Sequence, residues 1–411
     1  MKKILVGMLV LVLAACAPDR EEEAVTETPD GEAPEKPDTL HVWIHEEDDH
    51  IAAMEEIFSA YTEEAGIEIE YAQMSAIDQS ENIALDGPAG TGPDIYHIAH
   101  NGIGSQAAQN LAAPIELDAE QEARFTEESI EGLTYEGQLY GIPFVSETTA
   151  LLVNENIVNE LPTTVDELEN IAESETNVSN DEYGFLADTT EMYFAYPFLT
   201  GFGGYIFSDD GDIGLNNEGT VRGAELLQSW HSNNWIPTSI DGEIQDGLFI
   251  EGNVGVSLTG PWNIPSYARG IGEENLRSAP LPELPNGEIA SSFVTFKSWV
   301  LSPFSDEDYW AQDLMHFITN DTNNMEYYRE TNELPAVTHL LEDTEITDDP
   351  LIQGFAEQIQ HGTAMPNTPE ADQVWYPIND ALQFIAEGQD IQEVLDEAVE
   401  RIEENIEMMG G

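Results

Sequence analysis

The stretch LHVWIHEEDDHIAAMEEIFSAYTEEAGIEIEY, residues 40–71, decides the fold class. Leu40 to Ile44 is an apolar run of strand length. Ile51, Met54, Ile57, Phe58 and Tyr61 then recur at helical spacing, and Gly66 stands where a helix C-cap belongs. Ile67, Ile69 and Tyr71 alternate as a second strand. A strand–helix–strand unit of this kind crosses over right-handed within a parallel sheet.

Working outward, the Gly92-Pro93 turn leads into a strand over Asp94 to Ala99 and a helix over Ile103 to Leu111. Leu139 to Val145 and Thr149 to Asn154 read as extended, with Ser146 to Thr148 between them. Val254 to Leu258 and Trp299 to Leu301 read as further strands. Helices are expected over 164–173, 191–200, 218–233, 306–319, 350–361, 375–387 and 390–408. The class is α/β, with helices gathered toward the end of the chain and no repeat of solenoid length.

The 411 residues exceed one ordinary core and suit two lobes. Hydrophobic residues at 41% are enough to fill them. Eleven basic residues stand against 82 acidic ones, a formal charge of −71. Such a chain repels phosphate backbones, which excludes a nucleic-acid partner. The acids are spread over the whole sequence rather than collected in one tail, so the expectation is a surface adapted to high salt.

Cys16 is the only cysteine, which rules out an intrachain disulfide. Lys2 and Lys3 precede an apolar run from Ile4 to Leu13 that is too short to span a bilayer, followed by Leu13-Ala14-Ala15-Cys16. This resembles a bacterial lipoprotein signal. The resemblance implies a signal peptide over 1–15, a lipid on the Cys16 sulfur, and an extracytoplasmic protein, anchored to the outer face of the membrane or periplasmic. Residues 16–38, rich in acids, prolines and threonines, read as a tether.

Hydrolase and phosphate-loop motifs are missing: there is no HExxH, GxSxG or Walker sequence. His97 and His100 are close in sequence but face opposite ways at strand spacing, so no metal site and no cofactor are expected. More informative are the aromatic segments Glu191-Met192-Tyr193-Phe194-Ala195-Tyr196, Gly260-Pro261-Trp262-Asn263, and Met365-Pro366-Asn367 with Trp375-Tyr376, each beside a turn or a helix start. A pyranose ring stacks its C–H face on such rings, and its hydroxyls bind Asp, Glu or Asn. On residue type alone, Trp262 and Trp375 read as core residues ahead of sugar-stacking ones, since aromatics dominate cores too.

The order of the segments adds a resemblance. LHVWI (40–44), GTGPDIYHIAHNGIG (90–104), YEGQLYGIPFVSETTALLVN (135–154), EMYFAYPFL (191–199), GFGGYIF (201–207), VGVSLTGPWNI (254–264) and GTAMPNTPEADQVWYPINDAL (362–382) run as in the maltose/maltodextrin-binding proteins of ABC importers. These are family-1 extracellular solute-binding proteins, and AMPNTPEADQVWY is specific to their maltodextrin branch. The resemblance implies a two-lobe periplasmic-binding-protein fold with discontinuous lobes joined by a multi-strand hinge. It places one lobe at 39–146 and 296–322 and the other at 147–295 and 323–408, with hinges near Val145–Thr148, Thr295–Ser298 and Asn320–Asn324.

It also implies a monomer that captures an oligosaccharide, hands it to ABC importer membrane subunits and performs no catalysis. By position, Glu147 and Glu191 match the family's hydroxyl-binding carboxylates, and Tyr193, Trp262, Trp375 and Tyr376 its rings. Phe194 and Asn379 flank these. The first lobe departs from the pattern. Ile98, Asn101 and Gly102 replace a tryptophan and an aspartate–arginine pair. Asp48, with His45 and Glu47 nearby, stands where a lysine usually closes the first loop. A binding protein for another sugar or for a polyamine is the alternative reading, followed by a glycosidase using Glu147 and Glu191.

Overall fold

The computed structural model describes residues 33–208 and 211–409, apart from the side chains of residues 76 and 77. Cys16, the signal segment and most of the tether lie outside the described residues.

The opening stretch folds as its pattern dictates. Strand Thr39–Ile44, helix Asp48–Ala65 and strand Glu68–Gln73 form the crossover, and the two strands pair parallel from Thr39 opposite Glu68 to Ile44 opposite Gln73. The helix buries Met54, Ile57, Phe58 and Tyr61 along one stripe. Gly66, at φ 74°, turns the chain out of it while its N–H donates to the Thr62 carbonyl.

This unit is one edge of a seven-stranded sheet. Ile95–Ala99 lies beside the first strand, and Phe293–Leu301 runs antiparallel to it. Ile142–Thr148 pairs with the far side of Phe293–Leu301, and Leu334–Pro335 pairs with Ile142–Thr148. A second, four-stranded sheet has the order Leu276–Ala279, Ala150–Asn154, Val254–Thr259, Tyr183–Leu186. The chain leaves the first sheet at Thr148, enters the second at Ala150, and returns from Ala279 to Phe293. Two α/β lobes, each discontinuous in sequence, are the result.

Several boundaries differ from the sequence expectation. Ser146 to Thr148 is not a break, because Val294, Thr295 and Phe296 pair opposite Thr148, Glu147 and Ser146 and extend the strand. Trp299–Leu301 is only the end of a nine-residue strand whose polar Thr295, Lys297 and Ser298 hide its continuity. Leu139 separates from the following strand and pairs in a hairpin with Thr134. The helix from Ile103 ends at Ala108, and Asn110 takes a left-handed φ of 56° beyond it. The helix Ala76–Ala89 escapes a sequence reading because Gly87 and Pro88, ordinarily turn residues, close its last turn. The expected lobe boundary at 322/323 falls inside the helix Asp321–Thr331, whose Tyr327 hydroxyl lies 2.7 Å from Nδ1 of His50 in the first crossover helix. That segment therefore packs with the first lobe.

His100 ties three segments together and carries a pH prediction. Its Nδ1 accepts the Phe296 N–H at 3.0 Å, so Nε2 holds the proton and donates it to the Met365 carbonyl at 2.9 Å. A second proton on Nδ1 would confront that N–H, and burial holds the imidazole down at about 4. An unfolded chain takes up this proton near 6.5, so between 6.5 and about 4 the unfolded state holds more protons and stability falls as pH falls. The loss attributable to His100 is roughly 3 kcal/mol across that window. Ring NMR of the folded protein should show a neutral His100 at pH 5.5 or so; a ring that titrates near its ordinary value would refute this.

Candidate functional site

Where the two sheets meet, a cavity of about 380 Å³ is lined by His45, Glu47, Ala99, Asn101, Glu147, Tyr193, Trp262, Thr295, Lys297, Glu333 and Met365. Each lobe and the strands between them contribute. His45 and Glu47 follow the first strand, Ala99 ends the strand Ile95–Ala99 and Asn101 follows it. Glu147, Thr295 and Lys297 come from the paired crossing strands.

One lysine organises the floor. The Lys297 ammonium lies 2.7 Å from Glu147 and 2.5 Å from Glu333. All three are buried or nearly so, with the Glu333 side chain fully inaccessible. Burial alone would strip the charge from Lys297, but the two carboxylates outweigh it and push its pKa up. The carboxylates divide one cation. Burial and the neighbouring Glu333 charge push Glu147 up, whereas Glu333, although buried, is drawn down by Lys297 and His50. A fixed cation between two acids thus sits directly beneath the ligand space.

The second-lobe wall is aromatic. The Trp262 and Tyr193 ring centres are 6.4 Å apart at 39°, and both rings are half-buried. Trp262 folds back over Gly260, where any Cβ would collide with the indole. The ladder continues from Tyr193 to Phe293, 6.2 Å and stacked, and from Phe293 to Trp375 at 5.9 Å. Phe194 meets the edge of Tyr193 at 5.4 Å.

The sequence-derived site residues therefore fall into two groups. Glu147, Tyr193, Trp262, His45, Glu47 and Asn101 line the cavity. Trp375 joins the aromatic ladder without lining it, and Tyr376 is 81% exposed. Glu191 is exposed, its carboxyl raised by burial of part of the group and held by Asn379, whose Oδ1 also accepts the Met192 N–H at 2.9 Å. Asp48 is exposed in the first turn of its helix, outside the lining.

Ala99, Lys297 and Glu333 were missed as lining residues, and Thr295 and Met365, although in segments singled out as a hinge and a ring-bearing stretch, were not assigned to the site. Lys297 was the available signal: of four lysines in the sequence, it alone lies beyond position 36. Met365 is set in place by its neighbour Asn367. The Asn367 amide donates to the carbonyls of Gly132 at 2.8 Å and Thr134 at 3.1 Å, and its own carbonyl accepts the Gly104 N–H at 3.0 Å.

The first-lobe wall carries an unexpected group. Nε2 of His50 lies 3.1 Å from Glu47 and 3.6 Å from Glu333, and its ring is 4.9 Å from that of His45. Burial pulls His50 down, but Glu333 and Glu47 outweigh it and raise its pKa. His45 is lowered by burial and by the nearby His50 and Lys297. Glu47 is lowered mainly by its hydrogen bond with His50.

A larger cavity, about 560 Å³, is lined mainly by apolar groups of Tyr196, Tyr205, Ile206, Phe207 and Pro366, with Thr363, Thr368 and Glu370 among them. It has one carboxylate where the inter-sheet site has three and a lysine.

Two α/β lobes joined by crossing strands, with rings and carboxylates facing a shared cavity, define a ligand-capturing protein rather than a structural one. A model of the bacterial extracellular solute-binding protein family matches residues 56–354. The chain is 33% identical to the galactooligosaccharide-binding protein of Bacillus subtilis, over 97% of this chain and 94% of that protein. It is 31% identical to the maltodextrin-binding protein MdxE of the same organism, over 86% and 87% of the two chains. A solved cyclo/maltodextrin-binding protein complexed with maltotetraose superposes with a TM-score of 0.83 and 33% identity, over 92% of this chain and all of that one. The chain belongs to the bacterial extracellular solute-binding protein family, a family of binding proteins rather than enzymes.

Proposed function

We propose that this protein captures neutral oligosaccharides of the maltodextrin kind in the inter-lobe cavity and delivers them to the membrane subunits of an ABC importer. The observation that carries this is the pairing of Trp262 and Tyr193 with Glu147 and Asn101 around one cavity. Rings supply a face for the sugar C–H groups, and polar side chains fix its hydroxyls. Closure of the lobes about the Val145–Thr148 and Thr295–Ser298 strands would complete the site. Their ladder is irregular between Lys297 and Ser298, which favours bending there. Glu191, Trp375, Tyr376, Phe194, Asn379 and Asp48 lie outside the cavity lining, and we assign them to contacts made on closure or with longer ligands.

Galactooligosaccharides are the second reading. The identity with the galactooligosaccharide-binding protein extends over nearly the whole chain, and the first-lobe wall has His45, Glu47 and Asn101 where the maltodextrin pattern has other residues. Calorimetric titration with maltotriose and with a β-galactotriose decides between them, and failure of both removes the sugar reading. A polyamine is disfavoured because two of the three carboxylates that line the cavity, Glu147 and Glu333, already share the Lys297 ammonium. A glycosidase pair is disfavoured because Glu147 is locked to Lys297 and Glu191 does not line the cavity.

Changing Trp262 to Ala should cost about 1–3 kcal/mol of sugar binding while the melting temperature stays close to that of the parent. Stability lost without loss of affinity per folded molecule would make Trp262 a packing residue only.

The extracytoplasmic location follows from the family, and we propose that it is secured by a lipid on Cys16 in a monomeric protein. The Cys16→Ala variant should leave the membrane fraction or remain uncleaved. Unchanged anchoring would remove the lipoprotein reading.

A further inference from the structure

We propose that His45, Glu47 and His50 form a three-donor site for a divalent transition cation, zinc by the chemistry of its donors, in the first-lobe wall of the cavity. One donor atom from each of the three side chains lies within 4.8 Å of the others. Tetrahedral zinc with bonds of about 2.1 Å holds its donors ~3.4 Å apart. The His50 Nε2 to Glu47 Oε2 distance of 3.1 Å is already close to that spacing.

The surroundings favour a cation on independent grounds. His50 is almost fully buried, and its Nδ1 faces the Tyr327 hydroxyl at 2.7 Å, which orients the ring and directs Nε2 at the cluster. Nδ1 of His45 is buried with no hydrogen-bond partner. The fully buried Glu333, which lines the same cavity and lies 3.6 Å from His50 Nε2, has an Oε2 without a partner. Glu47 occupies the N-cap position of the helix Asp48–Ala65, yet its side chain makes no capping bond and its carboxylate turns toward His50 Nε2 instead. Lys297 is the lysine in the lining, and it is held between Glu147 and Glu333, while Glu47 faces the His50 imidazole.

Two imidazoles and one carboxylate select zinc or its late first-row neighbours over calcium and magnesium, which require oxygen donors. Because His45 and Glu47 both line the cavity, the remaining coordination position opens toward the ligand space. This departs from the expectation of no metal site. The residues are close in sequence, but their donors converge only because the chain turns from a strand at Ile44 into a helix at Asp48.

The site does not depend on the sugar reading, so it is tested without sugar. The full-length chain, stripped with EDTA, is titrated with zinc chloride in about 1 M NaCl, which screens the scattered surface acids. Millimolar calcium and magnesium are present to occupy sites made of carboxylates alone. One saturable equivalent of zinc is expected. His45→Asn and Glu47→Gln should each weaken it at least about tenfold while melting in the absence of metal is little changed. Cobalt at the same site should give the intense visible absorption of a tetrahedral centre, lost in the double variant. No saturable equivalent above the calcium and magnesium background, or equal uptake by both variants, would overturn the proposal. Glu47 is exposed, so Glu47→Gln remains informative even if changes at the histidines disturb folding.

Discussion

The melting temperature of this protein should climb strongly as sodium chloride rises from about 0.01 M to 1 M, because screening over that range shortens the reach of a charge from ~30 Å to ~3 Å. The chain carries 82 acidic residues and 11 basic ones. The cations that do pair, Arg124 with Asp321, Arg277 with Glu155, Arg329 with Glu345 and Arg401 with Asp380, are on or near the surface and engage few of those acids. Most of the remaining repulsion is thus between exposed carboxylates, the kind that salt screens best. The Lys297 cluster is buried and should respond little. A neutral sugar adds no charge, so its affinity should stay nearly flat over the salt range in which the protein is folded. Part of the climb will reflect stronger burial of apolar groups, and a sulfate series at matched ionic strength separates that contribution. A melting temperature indifferent to salt would remove the halophilic reading; affinity that collapsed with salt would point to a cationic ligand.

How much of this was legible in the sequence depends on whether periodicity or pairing carried the information. The opening crossover was plain because Ile57, Phe58 and Tyr61 are apolar, repeat at the helical interval and are all buried. The helix Asp321–Thr331 was not, since its buried face includes Asn323, Asn324 and Thr331 beside Met325 and two tyrosines. Those polar groups are satisfied locally, Asn323 donating to the Phe317 carbonyl at 2.7 Å and Thr331 to that of Tyr327 at 2.8 Å, so burial leaves no apolar stripe to read. The site divides in the same way. Trp262 and Tyr193 could be picked out by their place beside a turn or helix start and by the order of the segments around them, since residue type alone favours a core. The Lys297 cluster could not, because Glu147, Lys297 and Glu333 lie on three different segments and meet only when the crossing strands pair.

Replacing Lys297 with methionine should destabilise the protein by roughly 3–5 kcal/mol at neutral pH, the usual cost of removing one partner from a buried charge cluster. Methionine keeps much of the lysine's length and apolar stem, so the loss reports the charge rather than a cavity. Glu147 and Glu333 would then face each other, buried, with no ammonium between them. Glu147 is already raised in the parent; without the ammonium that draws Glu333 down, the two carboxylates cannot both stay ionised, and the pair binds a proton more tightly than in the parent. A raised carboxyl contributes stability at low pH and loses it as pH climbs through the folded value. The deficit of the variant relative to the parent should therefore shrink between pH 7 and about pH 5, opposite to the general acid sensitivity expected from His100. Adding Glu147→Gln and Glu333→Gln to Lys297→Met should recover much of the loss, since neutral amides need no counter-charge. Urea unfolding of the parent, the single variant and the triple variant at both pH values provides the measurement. A single variant within about 1 kcal/mol of the parent at pH 7, with no dependence on pH, would show that Lys297 is not the charge on which the crossing strands rely.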